Sequence, residues 1–497
     1  MSLTMPLPEP EIMAARDDIV ARLQAILKPS SVIHLARELS PYECDALTMY
    51  RQTPLVVVLP ETVEEVAAVM RLAAELNVKV VPRGSGTSLS GGSLPLADGI
   101  LLGMSKFNRI LDVDFENRCA RVQPGVTNLA ITKAVEHRGF YYAPDPSSQI
   151  ACSIGGNIAE NAGGVHCLKY GLTTNNVLGV EMVLIGGEIV RLGGRHLDSE
   201  GYDLLGLVTG SEGLLGVITE VTVRILQKPE TARGVLLGFS SVKAGADCVA
   251  AIIAAGIIPG GMEMMDKPAI DAAEAFKPCG YPEDAQGLVI VELDGTAAEV
   301  DHLCGEVAKI AEAAGATSIR TSNSDAERIG FWFGRKNAFP AVGAIGPDYL
   351  CMDGTIPRGR LAEVLTGMGA LAAEHGLRVA NVFHAGDGNL HPLILYDAAI
   401  PGDIEKAEAF GADILRLCVA VGGVLTGEHG VGVEKRDLMG EMFDSVDLGQ
   451  QERVKCAFDE NHRLNPGKVF PTLHRCAEMG FMHVRSGDLP FPEIPRF

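Results

Sequence analysis

Apolar residues in the first half of the chain form short β-branched runs that alternate with stretches of helical periodicity. Runs at 55–59 and 78–81 predict buried strands, and apolar residues recur at helical spacing from 62 to 76 between them. The same alternation predicts helices at 11–27 and 128–137 and strands at 99–102, 118–122, 180–185 and 217–225. This order of elements is typical of α/β structure.

The pattern restarts after a break near residues 228–230. Two successive β-α-β units are predicted, with strands at 234–239, 261–265, 286–293 and 316–321 and helices at 242–255 and 298–314. They indicate a second, α+β domain with an antiparallel sheet of ferredoxin-like units. A helix carrying Trp332 and Arg335, a strand at 348–356 and a helix at 361–375 follow.

A chain of 497 residues exceeds what one hydrophobic core usually organises. We therefore divide it at the breaks in the pattern. The predicted units are an N-terminal helical segment (1–50), an α/β domain (51–228), an α+β domain (229–425), a C-terminal helical segment (426–471) and an extended tail (472–497). Within the first domain, residues 144–171 are rich in Gly, Ser and Asn and show little periodicity, which is typical of functional loops.

Composition narrows the functional classes. With 63 acidic and 42 basic residues the net charge is -21, which repels nucleic acid and anionic membrane surfaces. The longest apolar run, 248–258, is shorter than the ~20 residues that a membrane span needs. The 11 cysteines form no C-x-x-C pair, and no signal peptide is visible. We expect a cytoplasmic protein without its own iron–sulfur ligands, which would reach a membrane only through partner subunits.

A glycine-rich loop at 82–92 follows the predicted strand 78–81. Glycines at such a position let main-chain N–H groups approach a phosphate. The loop does not match the dinucleotide fingerprint, because Leu89 stands where the third glycine is required, and it lacks the Lys of a nucleoside-triphosphate loop. By itself it leaves phosphate binding and ordinary turn chemistry both open.

A second candidate site lies at His384-Ala-Gly-Asp-Gly-Asn-Leu-His391, which a short helix separates from Gly427-Glu428-His429-Gly430. A two-residue hairpin turn at Asp387-Gly388 would place the two end histidines opposite each other, ~5 Å apart. With Glu428 they would form a His2Glu set for a divalent metal such as zinc, leaving His429 as a base. A structural hairpin is the alternative, and the pattern does not show that the two segments meet.

Several motifs in the first half resemble the vanillyl-alcohol-oxidase family of flavoproteins, which have a p-cresol methylhydroxylase (PCMH)-type FAD-binding domain. The motifs are Pro-Arg-Gly-Ser-Gly-Thr-Ser at 82–88, Pro-Asp-Pro-Ser-Ser at 144–148, Ser-Ile-Gly-Gly-Asn at 153–157, Asn-Ala-Gly-Gly at 161–164, Glu-Gly-Leu-Leu-Gly-Val-Ile at 212–218 and Leu-Asn-Pro-Gly-Lys at 464–468. The resemblance implies a PCMH-type domain of two α/β subdomains at 51–228, a substrate or cap domain at 229–425 and a return of 426–471 to the flavin.

It also implies a set of FAD-binding residues. These are Pro82, Arg83, Gly84, Ser85, Gly86, Thr87, Ser88, Pro144, Asp145, Ser147, Ser153, Gly155, Gly156, Asn157, Asn161, Gly163, Gly164, Glu212, Gly216, Ile218 and Asn465. Some members of the family hold FAD covalently through a His or Cys of the glycine-rich loop, but residues 82–92 contain neither. We therefore expect non-covalent FAD and a structural role for His166.

Within this family the likeness is greatest to the D-2-hydroxyacid dehydrogenase branch, which includes D-lactate and D-2-hydroxyglutarate dehydrogenases and the FAD-binding D subunits of bacterial glycolate oxidases. Residues 163–171, 351–357, 384–392 and 426–432 carry it. The resemblance implies His384, His391 and Glu428 as metal ligands and His429 as the catalytic base. It also implies flavin and iron–sulfur partner subunits, as in glycolate oxidase, and leaves a homodimer open.

The resulting expectation is metal-assisted oxidation of a small D-2-hydroxy acid, glycolate first and D-lactate second, to the 2-oxo acid. Hydride would pass to flavin N5, and electrons onward to a partner. Arg335 is the candidate for gripping the substrate carboxylate, because a guanidinium binds it in bidentate fashion; Lys336 is weaker. Two alternatives remain, which are a non-catalytic FAD electron-relay subunit and a His2Glu zinc hydrolase.

Overall fold

The computed structural model describes residues 5–196 and 201–471, so the predicted tail 472–497 lies outside the described residues. Besides a two-stranded sheet of β11 and β7, the first half contains two larger sheets. One has four strands in the order β1-β2-β4-β3, of which β2, β4 and β3 run parallel, and the other has five antiparallel strands in the order β5-β6-β10-β8-β9. Helix α4 begins with a capping box at Thr62 and Glu65 and buries its apolar face against the first sheet.

The first half contains short strands and helices. The strands are β1 Val32–Ile33, β2 Val56–Val58, β3 Lys79–Arg83, β4 Gly99–Gly103, β5 Ile110–Asp114, β6 Cys119–Val122, β7 Phe140–Tyr141, β8 Val177–Val183, β9 Ile189–Gly193, β10 Val217–Arg224 and β11 Leu226–Gln227. The helices are α1 Pro10–Ala14, α2 Arg16–Ile26, α3 Ala36–Leu39, α4 Val63–Glu75, α5 Asn128–Val135, α6 Ile154–Glu160, α7 Cys167–Tyr170, α8 Thr173–Asn176 and α9 Leu204–Val208.

The second half is built on one seven-stranded sheet. Its strands are β12 Thr231–Phe239, β13 Gly261–Asp266, β14 Gly287–Gly295, β15 Ala316–Thr321, β16 Asp348–Cys351, β17 Arg378–Phe383 and β18 Pro392–Tyr396. Its helices are α10 Val242–Ala254, α11 Lys267–Phe276, α12 Ala297–Ala313, α13 Asp325–Lys336, α14 Ala338–Val342, α15 Leu361–His375, α16 Asp403–Ala420, α17 Met439–Met442 and α18 Ser445–Phe458.

The order of this sheet is β15-β12-β14-β13-β17-β18-β16. The first four strands are antiparallel and carry the two predicted β-α-β units in a ferredoxin-like arrangement. Alternate residues of β14 enter two different cores: Val289 and Val291 pack with α10 and α12, whereas Leu288 and Ile290 pack with α11 and α13. Helices therefore cover both faces, which explains why these strands read as continuous apolar runs.

Four predicted elements differ from the structure. The helix 11–27 is two helices, α1 and α2, and the strand 348–356 ends at Cys351. The aperiodic segment 144–171 contains α6, which Ser153 caps by accepting a hydrogen bond from Gly156 N. The short helix expected before Gly427 is α16, with 18 residues. Within 5–196 and 201–471, no helix combines the length and apolar character that a membrane span requires.

Candidate active site

A cavity of about 470 Å³ lies between the two halves. One side is lined by residues within 82–88, 153–157 and 212–218, which we call the glycine wall. The opposite side includes His391, Glu428 and His429, which together with His384 we call the histidine wall. The two regions singled out from the sequence thus face each other.

The glycine wall brings main chain from two elements into close approach. At Gly84, directly after β3, a Cβ atom would lie 2.2 Å from Ser153 Oγ, and Gly86 has a φ of +71°. A side chain at the first position and an L-residue conformation at the second would both be unfavourable. The loop 84–88 therefore lies against the start of α6 and leaves room for a group that contacts main-chain atoms, which is how a dinucleotide pyrophosphate binds.

Most predicted cofactor residues line this cavity. Those that do are Pro82, Arg83, Gly84, Ser85, Gly86, Thr87, Ser88, Ser147, Ser153, Gly155, Gly156, Asn157, Glu212, Gly216 and Ile218. Six predicted residues do not line it: Pro144, Asp145, Asn161, Gly163, Gly164 and Asn465.

Four of these six residues make contacts that join neighbouring segments of the site. Asn465 donates from Nδ2 to the carbonyls of Gly92 and Glu212. A Cβ at Gly164 would lie 2.5 Å from the carbonyl of Asp145, so two of the segments touch each other. Gly163 N donates to Glu428 Oε2 over 2.9 Å. A loop predicted to meet the cofactor instead holds a residue of the histidine wall.

The histidine hairpin has a different register from the predicted one. Asn381 pairs with Pro392 and His384 with Asn389, so four residues, 385–388, form the turn, and the predicted two-residue turn is wrong. Gly386 N donates to Met262 O of β13, and Gly388 N donates to His384 O, which tightens this wider turn. His391 lies opposite Val382, two residues before His384, so the imidazoles are diagonal neighbours on one face, with centroids 5.0 Å apart.

Thr355 joins the hairpin to the second motif. It forms one β-bridge with Asn389 and another with Val424. At Gly427 a Cβ would lie 2.4 Å from Thr355 Oγ1 and 2.5 Å from the Asn389 side chain, so only glycine fits this approach. The Glu428-His429 pair is thereby placed against the hairpin.

The predicted ligand set has the geometry of a metal site. Glu428 Oε1 lies 3.3 Å from His384 Nε2 and 3.1 Å from His391 Nε2, and the three ligand atoms lie within 4.8 Å of one another. Among the described residues, no group makes a well-formed hydrogen bond with the buried His391 Nε2. An imidazole nitrogen in this position, beside a carboxylate and a second imidazole, belongs to a donor set that suits zinc or a similar ion.

A second carboxylate orients the first ligand. Glu263 of β13 is fully buried, and its Oε1 lies 2.5 Å from His384 Nδ1. Its other oxygen accepts from Arg335 Nε over 2.6 Å. A carboxylate on the far nitrogen of an imidazole fixes the tautomer that presents Nε2 to a metal.

The electrostatics of this wall favour positive charge at the ligand nitrogens. Burial opposes protonation of His384, but the carboxylates of Glu263 and Glu428 outweigh it and raise the pKa of His384 well above its usual range. The two imidazoles hold the pKa of Glu428 well below its ordinary value despite burial. Both shifts come from the close packing of carboxylates on imidazoles in this wall.

The pKa of His429 is shifted in the opposite direction to that of His384. Burial lowers the pKa of His429 to about 4, against the opposing effect of Asp353. Its ring stacks on His391 with centroids 5.0 Å apart, and within residues 5–196 and 201–471 its buried Nδ1 has no hydrogen-bond partner. A neutral imidazole that lines the cavity is suited to accept a proton.

Arg335 does not line the cavity as predicted. It is 2% exposed, and both Nε and Nη2 lie 2.6 Å from Glu263 Oε2. The next residue, Lys336, is exposed and lines the cavity. The helix α13 places Arg335 against Glu263, behind His384, and Lys336 in the cavity.

His166 connects the two halves. Its Nδ1 lies 2.8 Å from Asp145 Oδ2, and its Nε2 lies 3.1 Å from Glu292 Oε1 of β14. Glu292 also accepts from Arg328 and Trp332. Although burial opposes protonation, the two carboxylates raise the pKa of His166 well above its usual range. These contacts support the structural role expected for His166.

Two residues of the site were missed from the sequence. Glu263 stands in Gly-Met-Glu-Met-Met, where one charged residue inside an apolar strand is a detectable signal. Asp353 belongs to the motif 351–357 but had no assigned role. It is fully buried, and its Oδ1 lies 3.7 Å from His391 Nε2.

Comparison with known protein families matches two regions of the chain. Residues 54–193 match a model described as FAD binding domain, and residues 228–469 match FAD linked oxidases, C-terminal domain. The chain is 56% identical to glycolate oxidase subunit GlcD of Escherichia coli strain K12, over 97% of both chains. It is 33% identical to a D-lactate dehydrogenase of Anaerostipes hadrus, over 86% of this chain and 91% of the relative. The fold matches p-cresol methylhydroxylase with a TM-score of 0.76 at 18% identity, covering 92% of this chain and 97% of the other.

Proposed function

The chain belongs to the FAD-linked oxidases, and on that premise we propose that it oxidises a small 2-hydroxy acid with FAD. The relatives named as a glycolate oxidase subunit and a D-lactate dehydrogenase support this class of reaction. The observation that carries the proposal is the position of His429, a neutral imidazole that lines the same cavity as the glycine wall and lies beside the His2Glu set, of which His391 and Glu428 also line the cavity. Family membership removes the hydrolase alternative.

FAD would be held by the glycine wall. The close approach of Gly84 to Ser153 creates a main-chain cradle for the pyrophosphate, and lining residues 212–218 extend the wall toward the histidines. Bound FAD would supply the hydride acceptor. The protein's own contribution is to orient the substrate Cα toward this wall and to keep the proton acceptor on the other.

His384, His391 and Glu428 would hold a divalent metal, and zinc suits this donor set. A metal there would polarise the substrate hydroxyl and lower its pKa. His429, neutral at pH 7, then takes the hydroxyl proton, while Glu263 keeps His384 in the ligating tautomer.

The substrate carboxylate needs a cation in or beside the cavity. We assign this role to Lys336, which lines the cavity, together with Arg335. Arg335 uses Nε and Nη2 for Glu263, and a guanidinium retains a third nitrogen, Nη1, for a carboxylate. Arg335 would thereby link the substrate to the ligand support.

Partner subunits are part of the proposal. The Escherichia coli relative is named as a subunit, so we expect this chain to work in a multi-subunit enzyme that takes electrons from the flavin. We assign the iron–sulfur centres to those partners. A cytoplasmic location, with any membrane contact made through the partners, belongs to the same proposal.

Anaerobic reduction of the flavin tests the proposal. The purified, metal-supplemented protein is mixed with glycolate, D-lactate, L-lactate or D-2-hydroxyglutarate, and the flavin absorbance is followed. We expect bleaching by glycolate first and D-lactate second. A flavin that none of these acids reduces would instead indicate an electron-relay subunit.

A further inference from the structure

The main chain of residues 427–432, around Glu428 and His429, is held by buried side chains at five of its six N–H groups and at two of its carbonyl groups. We call residues 427–432 the base segment. Its hydrogen bonds to side chains are Gly427 N to Asp353 Oδ2 (3.0 Å), Glu428 N to Asp353 Oδ2 (3.2 Å), His429 N to Asp353 Oδ2 (2.8 Å), Val431 N to Glu212 Oε1 (2.6 Å), Gly432 N to Glu212 Oε2 (2.7 Å), Ser90 Oγ to His429 O (2.9 Å) and Lys435 Nζ to Gly430 O (2.9 Å).

Two carboxylates account for the five N–H groups. Successive N–H groups that converge on one anion form a nest, and the base segment contains two of them in sequence. The first surrounds Asp353, which also accepts from Thr426 Oγ1, and the second surrounds Glu212. Both carboxylates are buried, so an unsatisfied oxygen would be costly.

The carboxylates come from different halves of the molecule. Asp353 follows β16 in the second half, and Glu212 lies between α9 and β10 in the first. Glu212 has a φ of +51°, an unfavourable conformation for a residue with a side chain. Its carbonyl accepts from Asn465 Nδ2, and its N–H donates to Ala159 O, which fixes this conformation.

The contacts divide along the base segment. Asp353 accepts hydrogen bonds from the N–H groups of Glu428 and His429 themselves. Glu212 accepts from the N–H groups of Val431 and Gly432, which come later in the segment. Asp353 therefore sets these residues against the hairpin histidines, and Glu212 ties the segment to the glycine wall. Replacing either carboxylate by an amide would put an NH2 donor or a weaker acceptor against N–H donors.

We propose that Asp353 and Glu212 are positioning residues that hold the base segment from opposite sides, the first for the metal site and the second for the distance between His429 and the flavin. The assignment rests on the proposed function for its catalytic part. It separates two properties: Asp353 governs metal affinity and the rate of flavin reduction, while Glu212 governs that rate alone.

The test compares Asp353→Asn, Glu212→Gln and the matched control Asp266→Asn in the full-length, FAD-loaded protein. Asp266 is a buried aspartate that caps α11 and accepts from Asn381, away from the base segment. Zinc affinity is measured by competition with a chromophoric chelator, and flavin reduction by glycolate is followed anaerobically at saturating zinc.

We expect Asp353→Asn to weaken zinc binding about 10- to 100-fold, the usual effect of losing a group that orients a ligand, and to slow flavin reduction by at least about 10-fold. Glu212→Gln should leave zinc affinity within about 2-fold and slow reduction about 10-fold. The control should change neither. The proposal would be overturned if Asp353→Asn kept both its zinc affinity and its reduction rate within about 2-fold of wild type. It would also be overturned if the two variants lost zinc affinity equally.

A milder variant tests the proposal in case Asp353→Asn does not fold. Thr426→Val removes one donor to Asp353 and keeps the carboxylate, so we expect a zinc affinity about 3-fold lower, the loss of one modest hydrogen bond. If Asp353→Asn loses FAD, Thr426→Val decides, and unchanged affinity counts against the proposal. If glycolate does not reduce even the wild-type flavin, the proposed substrate fails while zinc competition still decides the role of Asp353.

Discussion

The glycine wall and the histidine wall face one cavity but keep their shapes by different means. The glycine wall relies on missing side chains, because positions such as Gly84 have no room for a Cβ. The histidine wall relies on buried charges that are each paired with a named partner, as in Arg335, Glu263 and His384. Steric room is encoded locally by glycine spacing, whereas the charge pairs require elements that are distant in the sequence.

This difference predicts distinct consequences of substitution. A side chain added in the glycine wall should weaken cofactor binding, and removing the atom that it contacts should restore part of that binding. A change in the histidine wall should leave FAD bound and alter metal binding or chemistry. The experiments below examine the two walls separately.

The largest effect is expected for His429→Asn. Removing a general base typically costs 10²- to 10⁴-fold, roughly, in rate. We expect flavin reduction by glycolate to fall by that factor, while FAD content and melting temperature stay near wild type because the flavin side is untouched. Bleaching at the normal rate would exclude His429 as the base.

On the opposite wall, Gly84→Ala should weaken FAD binding. Its new Cβ would lie 2.2 Å from Ser153 Oγ, and overpacking of this kind costs about 1–3 kcal/mol. The measurement is FAD affinity of the apoprotein by fluorescence quenching. Gly369→Ala is the control, because no heavy atom lies within 4 Å of the Cβ that it would add.

A double variant tests whether the contact with Ser153 Oγ is the cause of the weaker FAD binding. Gly84→Ala combined with Ser153→Ala removes the Oγ, and Ser153 Cβ at 3.4 Å is an ordinary contact. The double variant should bind FAD more tightly than Gly84→Ala does, after correction for the lost helix cap measured in Ser153→Ala alone. Equal weakness in both variants would mean that the loop does not depend on this approach.

The sequence predicted the two walls unequally. Fifteen of the residues predicted for FAD binding line the cavity, because strand-loop-helix order and glycine spacing are local features. The other six, among them Asn465, do not line it, and a motif cannot distinguish these positions. In the hairpin, Asp-Gly favoured a two-residue turn, but contacts of Gly386 with β13 and of Gly388 with Ile356 impose a wider one.

The missed residues share a physical reason. Asp353 acts by accepting main-chain N–H groups from a segment more than 70 positions away, and no local pattern shows where those donors lie. The contact of Arg335 with Glu263 was missed for the same reason, because it depends on where the fold places α13 relative to β13.

Both cations of α13, Arg335 and Lys336, are assigned to the substrate carboxylate, and Arg335 also supports Glu263 behind His384. Both Arg335→Ala and Lys336→Ala should raise the glycolate concentration for half-maximal reduction, by about 10-fold for loss of a charged hydrogen bond. Arg335→Ala should also weaken zinc binding, because it leaves Glu263 buried without its cation. An unchanged half-maximal concentration in either variant would clear that residue of carboxylate binding.

The smallest effect concerns the contact that joins the halves. In the folded protein the pKa of His166 is raised above its unfolded value of about 6.5. Protonated His166 therefore contributes fully to the free energy of unfolding when the pH is below the unfolded pKa, and this contribution is lost as the pH rises through the folded pKa. His166→Gln should therefore lower stability by about 1 kcal/mol near pH 6 and by less at alkaline pH. Thermal unfolding from pH 6 to 9 measures this, and a difference that grows with pH would contradict the assignment.

The central claim is that both walls act on one substrate. Protein treated with a chelator to remove metal, but still holding FAD, is mixed anaerobically with glycolate, and zinc is then added while the flavin absorbance is recorded. We predict an oxidised flavin until zinc is added and bleaching afterwards. Full bleaching at the same rate before zinc is added would contradict the claim.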